Sequence, residues 1–195
     1  MRPALAAPGL VRRQPLSHRS IPGSLRTARL LLRPWSAADA DALAPILAAN
    51  TERLGPWIPP HVATPLPAAA LAERLAGFAA DFAAGRAFRF ALLANDDQRL
   101  LGEADLFPRA EAGRVSLPEA DRVELGYWLD AAAEGRGIAT EATEALLGVA
   151  ARLTGVSHAE IRCDPANHRS AAVPRRLGFQ LAGVDQGLQV WRKPL

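Results

Sequence analysis

The apolar positions of the chain fall into two rhythms. Between Ala68 and Gly85, Leu71, Leu75, Phe78 and Phe82 recur every three or four residues, which predicts a helix closed by a glycine cap at Gly85. The same spacing returns in Ala142, Ala145, Leu146, Val149, Ala150 and Leu153, and a further helix is expected from Asn167 to Leu177 with Gly178 as its cap. Ser36 and Asp39 stand at capping-box spacing, opening a helix through Asn50 with a break or kink at Pro45. The second rhythm is strand-like. It covers Leu30 to Arg33 and three runs at 87–94, 99–107 and 122–130, the first two joined as a hairpin through Asn95, Asp96 and Asp97. Ala159, Ile161 and Cys163 alternate in "HAEIRCD", and "FQLAGV" with "LQVWRK" reads as a closing strand pair. The segment from Leu54 to Pro67 carries five prolines, too many for either regular element. The resulting order, β-α-α-β-β-β-α-β-α-β-β, indicates an α+β fold.

Residues 1–24 hold prolines, arginines and serines with no sustained period and are expected to be a disordered extension, leaving 25–195 as one domain. Four arginines lie in that extension with no acidic residue, so removing them from the net charge of +3 leaves −1 for the domain. That balance gives little support to direct nucleic-acid binding. No apolar run is long enough to span a bilayer. The single cysteine, Cys163, rules out an intrachain disulfide and fits a reducing, cytoplasmic setting. His18, His61, His158 and His168 show no metal-ligand spacing, so no metal is expected.

The chemistry concentrates in "YWLDAAAEGRGIATEA", Tyr127 to Ala142. Gly135 and Gly137 flank Arg136 at the mouth of an expected helix. Glycines there let a ligand approach the backbone, and helix N-termini suit anions. A P-loop would need a lysine after the glycines, and the chain's one lysine is Lys193. A dinucleotide fingerprint would need glycine where Thr140 stands, and the position leaves too little chain for a doubly wound sheet. On spacing alone, a plain tight turn stays as open as an acyl-carrier site.

Three blocks carry a resemblance. "ELGYWLDAAAEGRGIATEATEALL" resembles the acetyl-CoA-binding segment of the GNAT N-acetyltransferases, whose pattern Q/R-x-x-G-x-G/A stands here as Glu134-Gly135-Arg136-Gly137-Ile138-Ala139. "TARLLLRPWSAADADAL" with "LGPWIP", and "DPANHRSAAVPRRLGF", are similar to segments of the RimJ and RimL type, which acetylates ribosomal-protein N-termini. The likeness runs from about Leu25 to Leu195. It departs at Glu134, where Gln or Arg is usual, and at Pro174, where many relatives carry a general-acid tyrosine.

The resemblance implies a GNAT fold, with a central mixed, mostly antiparallel sheet splayed between the strands at 122–130 and 158–163 and about four flanking helices. It implies acetyl transfer from acetyl-CoA to a primary amine, most simply a protein or peptide N-terminus. The alternatives are a small amine such as an antibiotic or polyamine, or a catalytically weak acyl-CoA-binding module. The pantetheine arm is expected against the backbone of Trp128 and Leu129, with the phosphates on the segment Gly135, Arg136, Gly137, Ile138, Ala139 and Thr140. Asn167 is expected both to cap its helix and to bind the arm. Glu124 is the first choice for general base, with Glu103 and Asp105 behind it, and Ser170 for proton donor to the thiolate. Trp57 and Glu103 are expected at the acceptor groove. Pro174 cannot bond the carbonyl of Ser170, so a kink is expected there. A monomer or a homodimer is compatible with these expectations.

Overall fold

The computed structural model describes residues 20–96 and 98–195; residues 1–19 of the expected extension, and Asp97 of the expected turn, lie outside the described residues. The strands are β1 (Leu25–Arg26), β2 (Leu30–Pro34), β3 (Phe88–Ala94), β4 (Leu100–Ala110), β5 (Gly113–Arg114), β6 (Arg122–Leu129), β7 (His158–Cys163), β8 (Gln180–Asp185) and β9 (Leu188–Pro194). The helices are α1 (Ala40–Leu54), α2 (Pro60–Ala63), α3 (Ala68–Ala83), α4 (Ile138–Ala150) and α5 (His168–Arg176). The strands make one sheet in the order β1-β2-β3-β4-β6-β7-β9-β8, with β5 attached to β4. Every pairing is antiparallel except β6 with β7. No helix of the described residues is long and apolar enough to cross a membrane.

Strand alternation sorts side chains onto two faces, each with its own core. Phe88, Phe90 and Leu92 of β3 join Ile138, Ala142 and Leu146 of α4 in one cluster. Ala91 and Leu93 turn the other way and pack with Leu43 and Leu47 of α1 and Leu71 and Leu75 of α3. Burying a side chain of this size contributes roughly 1.5–3 kcal/mol. The second face also carries charge. Arg89 lies opposite Asp105 and Ala91 opposite Glu103, while β6 sets Trp128 beside Glu103, Gly126 beside Asp105 and Glu124 beside Phe107.

The functional geometry follows from the single parallel pair. Strands β6 and β7 are in register only at Val123, Glu124 and Leu125, opposite Ala159, Glu160 and Ile161. Beyond Leu125, β6 continues to Leu129 without a β7 partner, so the sheet opens into a gap. Helices α4 and α5 begin at the wide end of that gap, each following one of the parting strands.

Two local expectations need correction. Helix α1 continues to Leu54 without a break, because Pro45 falls in its second turn and the amide that proline lacks would have served only Asp41, which is exposed. The proline-rich segment contains α2, whose first residue, Pro60, takes the helix-starting position that tolerates a missing N–H. At Pro174, where the Ser170 carbonyl is expected to lack a helical partner, α5 runs on to Arg176 and that carbonyl accepts a hydrogen bond from Tyr127 Oη at 2.8 Å.

Candidate active site

One cleft of about 2110 Å³ runs through the gap and joins two chemically different ends. The first end is the start of α4. Gly137 caps that helix in the left-handed region, at φ 76°, a conformation glycine adopts without steric cost. No side chain caps the helix, and the amides of its first turn have no acceptor within it. They face the cleft with the positive end of the helix dipole behind them, a site suited to phosphate oxygens. This uncapped start fits the pyrophosphate of an acyl-CoA.

Glu134 sits in the turn leading into α4, directly before Gly135, Arg136 and Gly137, and is clamped between cations from two other elements. Arg53 of α1 and Arg169 of α5 each pair with one Glu134 carboxylate oxygen. Arg53 also donates to the Leu129 carbonyl and to Asn50 Oδ1, the latter at 2.6 Å through Nη2. Buried Asn50 donates to Asp130 Oδ1 at 2.8 Å and accepts from the Ala131 amide at 3.0 Å. The turn before α4 is thus tied to α1 on one side and α5 on the other. Arg136 is the one expected site residue outside the cleft wall; its carbonyl accepts from Arg29 Nη1 at 2.8 Å.

In the middle of the cleft, Asn167 caps α5 by accepting from the Ser170 amide at 3.0 Å. Ser170 Oγ lies 3.2 Å from Tyr127 Oη. Burial, set against the hydrogen bond to Ser170, raises the Tyr127 phenol above its ordinary range and keeps it protonated. The sequence places no tyrosine at the family's position and by itself gives Tyr127 no role. Alternation along β6 offers the signal: Trp128 packs on the α1 and α3 face, so Tyr127 turns to the α4 and α5 side.

The second end lies between β4, β6 and α2. Trp57 stands at its rim, 42% exposed. Glu103 is buried beneath, accepting from Trp35 Nε1 at 2.5 Å, Arg89 Nη1 at 3.2 Å and Trp128 Nε1 at 3.3 Å. Both of its oxygens are therefore engaged by the protein, and it serves as an anchor under the groove. Glu124 accepts from Arg109 Nη2 at 2.6 Å. Asp105 differs from both. Its side chain is only 8% exposed, Oδ2 lies 3.8 Å from Arg89 Nη1, and Oδ1 is buried with no hydrogen-bond partner among the described residues. Burial raises its carboxyl well above the usual range, and the negative charge of Glu103 and proton sharing with it add to the rise. Arg89 and Arg114 pull the other way.

The cleft brings together Trp57, Glu103, Glu124, Trp128, Leu129, Gly135, Gly137, Ile138, Ala139, Thr140, Asn167 and Ser170. A mixed sheet parted between two parallel strands, with an uncapped helix start at the mouth, defines a GNAT fold. Solved structures share it. A RimL ribosomal L7/L12 alpha-N-protein acetyltransferase in complex with coenzyme A has TM-score 0.71 at 21% identity, covering 87% of this chain and 96% of its own. The microcin C7 self-immunity acetyltransferase MccE, in complex with acetyl-CoA and AMP, has TM-score 0.75 at 18% identity, covering 90% and 98%. Residues 29–180 match the family model described as acetyltransferase (GNAT) domain, and the chain belongs to that family. It is also similar to "Putative ribosomal N-acetyltransferase YdaF" of Bacillus subtilis (strain 168), 29% identical over 172 residues that cover 83% of this chain and 84% of the relative. The protein is an acetyltransferase.

Proposed function

We propose that the enzyme transfers acetyl from acetyl-CoA to the α-amino group of a protein or peptide N-terminus. The observation carrying this reading is the continuous cleft from the uncapped start of α4 to the carboxyl-lined groove beside Trp57. The names of YdaF and the RimL structure support the acceptor class. The segment Gly135–Thr140 holds the phosphates, and the unpaired edge of β6 at Trp128 and Leu129 receives the pantetheine arm with Asn167 opposite. A backbone N–H on that edge meets the developing oxyanion, a donor typically worth about 3 kcal/mol. Glu124 accepts a proton from the acceptor nitrogen, and Ser170, backed by Tyr127, returns one to the departing thiolate. The buried free thiol of Cys163 fits a cytoplasmic setting. All the groups named come from one chain, so either a monomer or a homodimer can work, and no nucleic acid is needed.

A thiol-release assay with acetyl-CoA, run against N-terminal peptides and against small amines, tests the reading. Turnover is expected on peptides. Turnover on polyamines alone would move the acceptor class, and acetyl-CoA binding without any turnover would leave only a binding module. Glu124→Gln is expected to lower kcat/KM by about 100-fold, within the usual range for a lost acid or base. If Glu124→Gln and Ser170→Ala both leave turnover unchanged, the acid–base assignment is wrong.

A further inference from the structure

Taken pair by pair, the charges of the acceptor groove do not cancel. Glu103 is paired with Arg89 at 3.2 Å, and Glu124 with Arg109 at 2.6 Å. Burial, and then the charge of Glu103, push Asp105 toward its neutral form. Arg114 of β5 is left over. It lines the cleft with no ion pair or side-chain hydrogen bond among the described residues.

This cation rests on a ring instead of a counter-ion. The guanidinium carbon of Arg114 lies 4.0 Å from the centre of the Phe107 ring, and that of Arg89 lies 5.0 Å from the same centre. Arg109 stands opposite Arg114 in the pairing of β4 with β5. Partial loss of water, then the like charges of Arg109 and Arg89, disfavour the Arg114 cation, while Glu124 and Asp105 support it. His61 of α2 lines the same end and feels the excess. Burial, then Arg89, Arg114 and Arg74, hold its imidazole below the ordinary range, with Glu103 opposing them. Arg74 of α3 adds no neutralising pair, since it donates to the carbonyls of His61 and Thr64.

We propose that Arg114 is a carboxylate subsite of the acceptor groove, and that the preferred acceptor carries an acidic group close to its amine. The proposal rests on the α-amine reading above and narrows it. An acceptor that arrives as an ammonium is repelled by the uncompensated cation unless it brings negative charge of its own. A guanidinium stacked on a ring keeps its planar fork of donors for a ligand, and that fork matches the two oxygens of a carboxylate. A peptide supplies the carboxylate as an aspartate or glutamate side chain near its N-terminus. A free amino acid supplies it as its α-carboxylate. A polyamine supplies none, and it finds Glu103 and Glu124 already paired.

Matched acceptors that differ in this one charge test the proposal. The first pair is a peptide with glutamate at its second or third position and its glutamine counterpart; the second is alanine and alaninamide. In each pair, the ratio of kcat/KM for the charged member to that for the neutral one is compared between the wild-type enzyme and its variants. Arg114→Gln is expected to lower the ratio about tenfold in one of the pairs, the scale of a charge-assisted hydrogen bond. Arg114→Glu should lower it further, and Arg114→Lys should keep part of it. Lost packing on Phe107 would not follow that order of charge. A loss in the peptide pair identifies a side-chain carboxylate and a loss in the alanine pair an α-carboxylate, and either supports the subsite. A ratio that Arg114→Gln leaves unchanged in both pairs overturns it. Wild-type turnover on polyamines but on none of these α-amines would instead overturn the α-amine reading, and this proposal with it.

Discussion

Each end of the cleft carries a carboxylate that looks misplaced, and the fold treats the two oppositely. Glu134 stands beside the turn proposed to hold the donor phosphates, where a negative side chain should repel them. Arg53 and Arg169 take both of its oxygens and make it a clamp between α1, α5 and the turn. Asp105 lines the opposite end of the cleft with a buried oxygen that has no hydrogen-bond partner among the described residues. A charged side chain becomes structural when distant elements supply its counter-ions. It is driven toward its neutral form when they stop one atom short.

The largest effect is expected from breaking the acceptor end at its anchor. Glu103→Leu removes the partner of Arg89, a guanidinium that is itself 5% exposed, and strands the indole N–H groups of Trp35 and Trp128. Removing one member of a buried ion pair typically costs about 3–5 kcal/mol. Urea unfolding measures it. A loss below about 1 kcal/mol would mean that Asp105, 3.8 Å from Arg89, ionises and takes over the pairing.

The donor end should yield a smaller loss, and one of binding rather than folding. Arg53→Ala detaches Glu134 and the Leu129 carbonyl from α1 and leaves Asn50 as the tie to Asp130 and Ala131. Acetyl-CoA affinity is expected to fall about tenfold, or about 1.4 kcal/mol, by calorimetry. Unchanged affinity would show that Arg169 and the Asn50 bonds are enough to hold the turn.

What the sequence disclosed follows the same division. The glycine turn before α4 was legible because its pattern is local: two glycines and the start of a helix lie within a few residues, and only the family resemblance tied that turn to a donor. The strand at 158–163 and the splay beside it were legible for the same reason, through alternation and the family pattern. The clamp on Glu134 was not, since Arg53 lies 81 positions away and only tertiary packing joins them. Tyr127 and Ser170 meet across 43 positions, and the contact depends on which face of β6 the tyrosine takes. Asp105 was visible as a strand carboxyl, but its unpartnered oxygen depends on the registers of β3 and β6 against β4.

A subtler contrast appears in stability against pH. A carboxyl with a raised pKa lets the folded state hold a proton that the unfolded chain has lost. Asp105 therefore makes stability rise as pH falls from its folded pKa toward 3.8, and the contribution is lost as pH climbs. Asp105→Asn lacks this dependence, so its Tm should gain on wild type as pH rises through that window. A gain of a few degrees reports about 1 kcal/mol in a chain of this size. A Tm difference that is flat with pH would mean that Asp105 stays ionised in the fold.

The smallest effect is expected where the sequence departs most visibly from its family. Glu134→Gln removes a negative charge near the donor phosphates, which favours binding. It also releases Arg169, whose side chain is 83% exposed and loses its anchor. Ion pairs this close to solvent are worth about 0–1 kcal/mol, and the two consequences oppose each other. Arg53 keeps its bonds to Asn50 and the Leu129 carbonyl, so the turn stays tied to α1. Acetyl-CoA affinity should therefore shift by less than about threefold, and less again at high salt, where screening shortens the reach of exposed charges. Calorimetry at low and high salt checks both statements. Tightening by about tenfold would mean that Glu134 repels the donor in spite of its two arginines, and the contrast with Asp105 would fail.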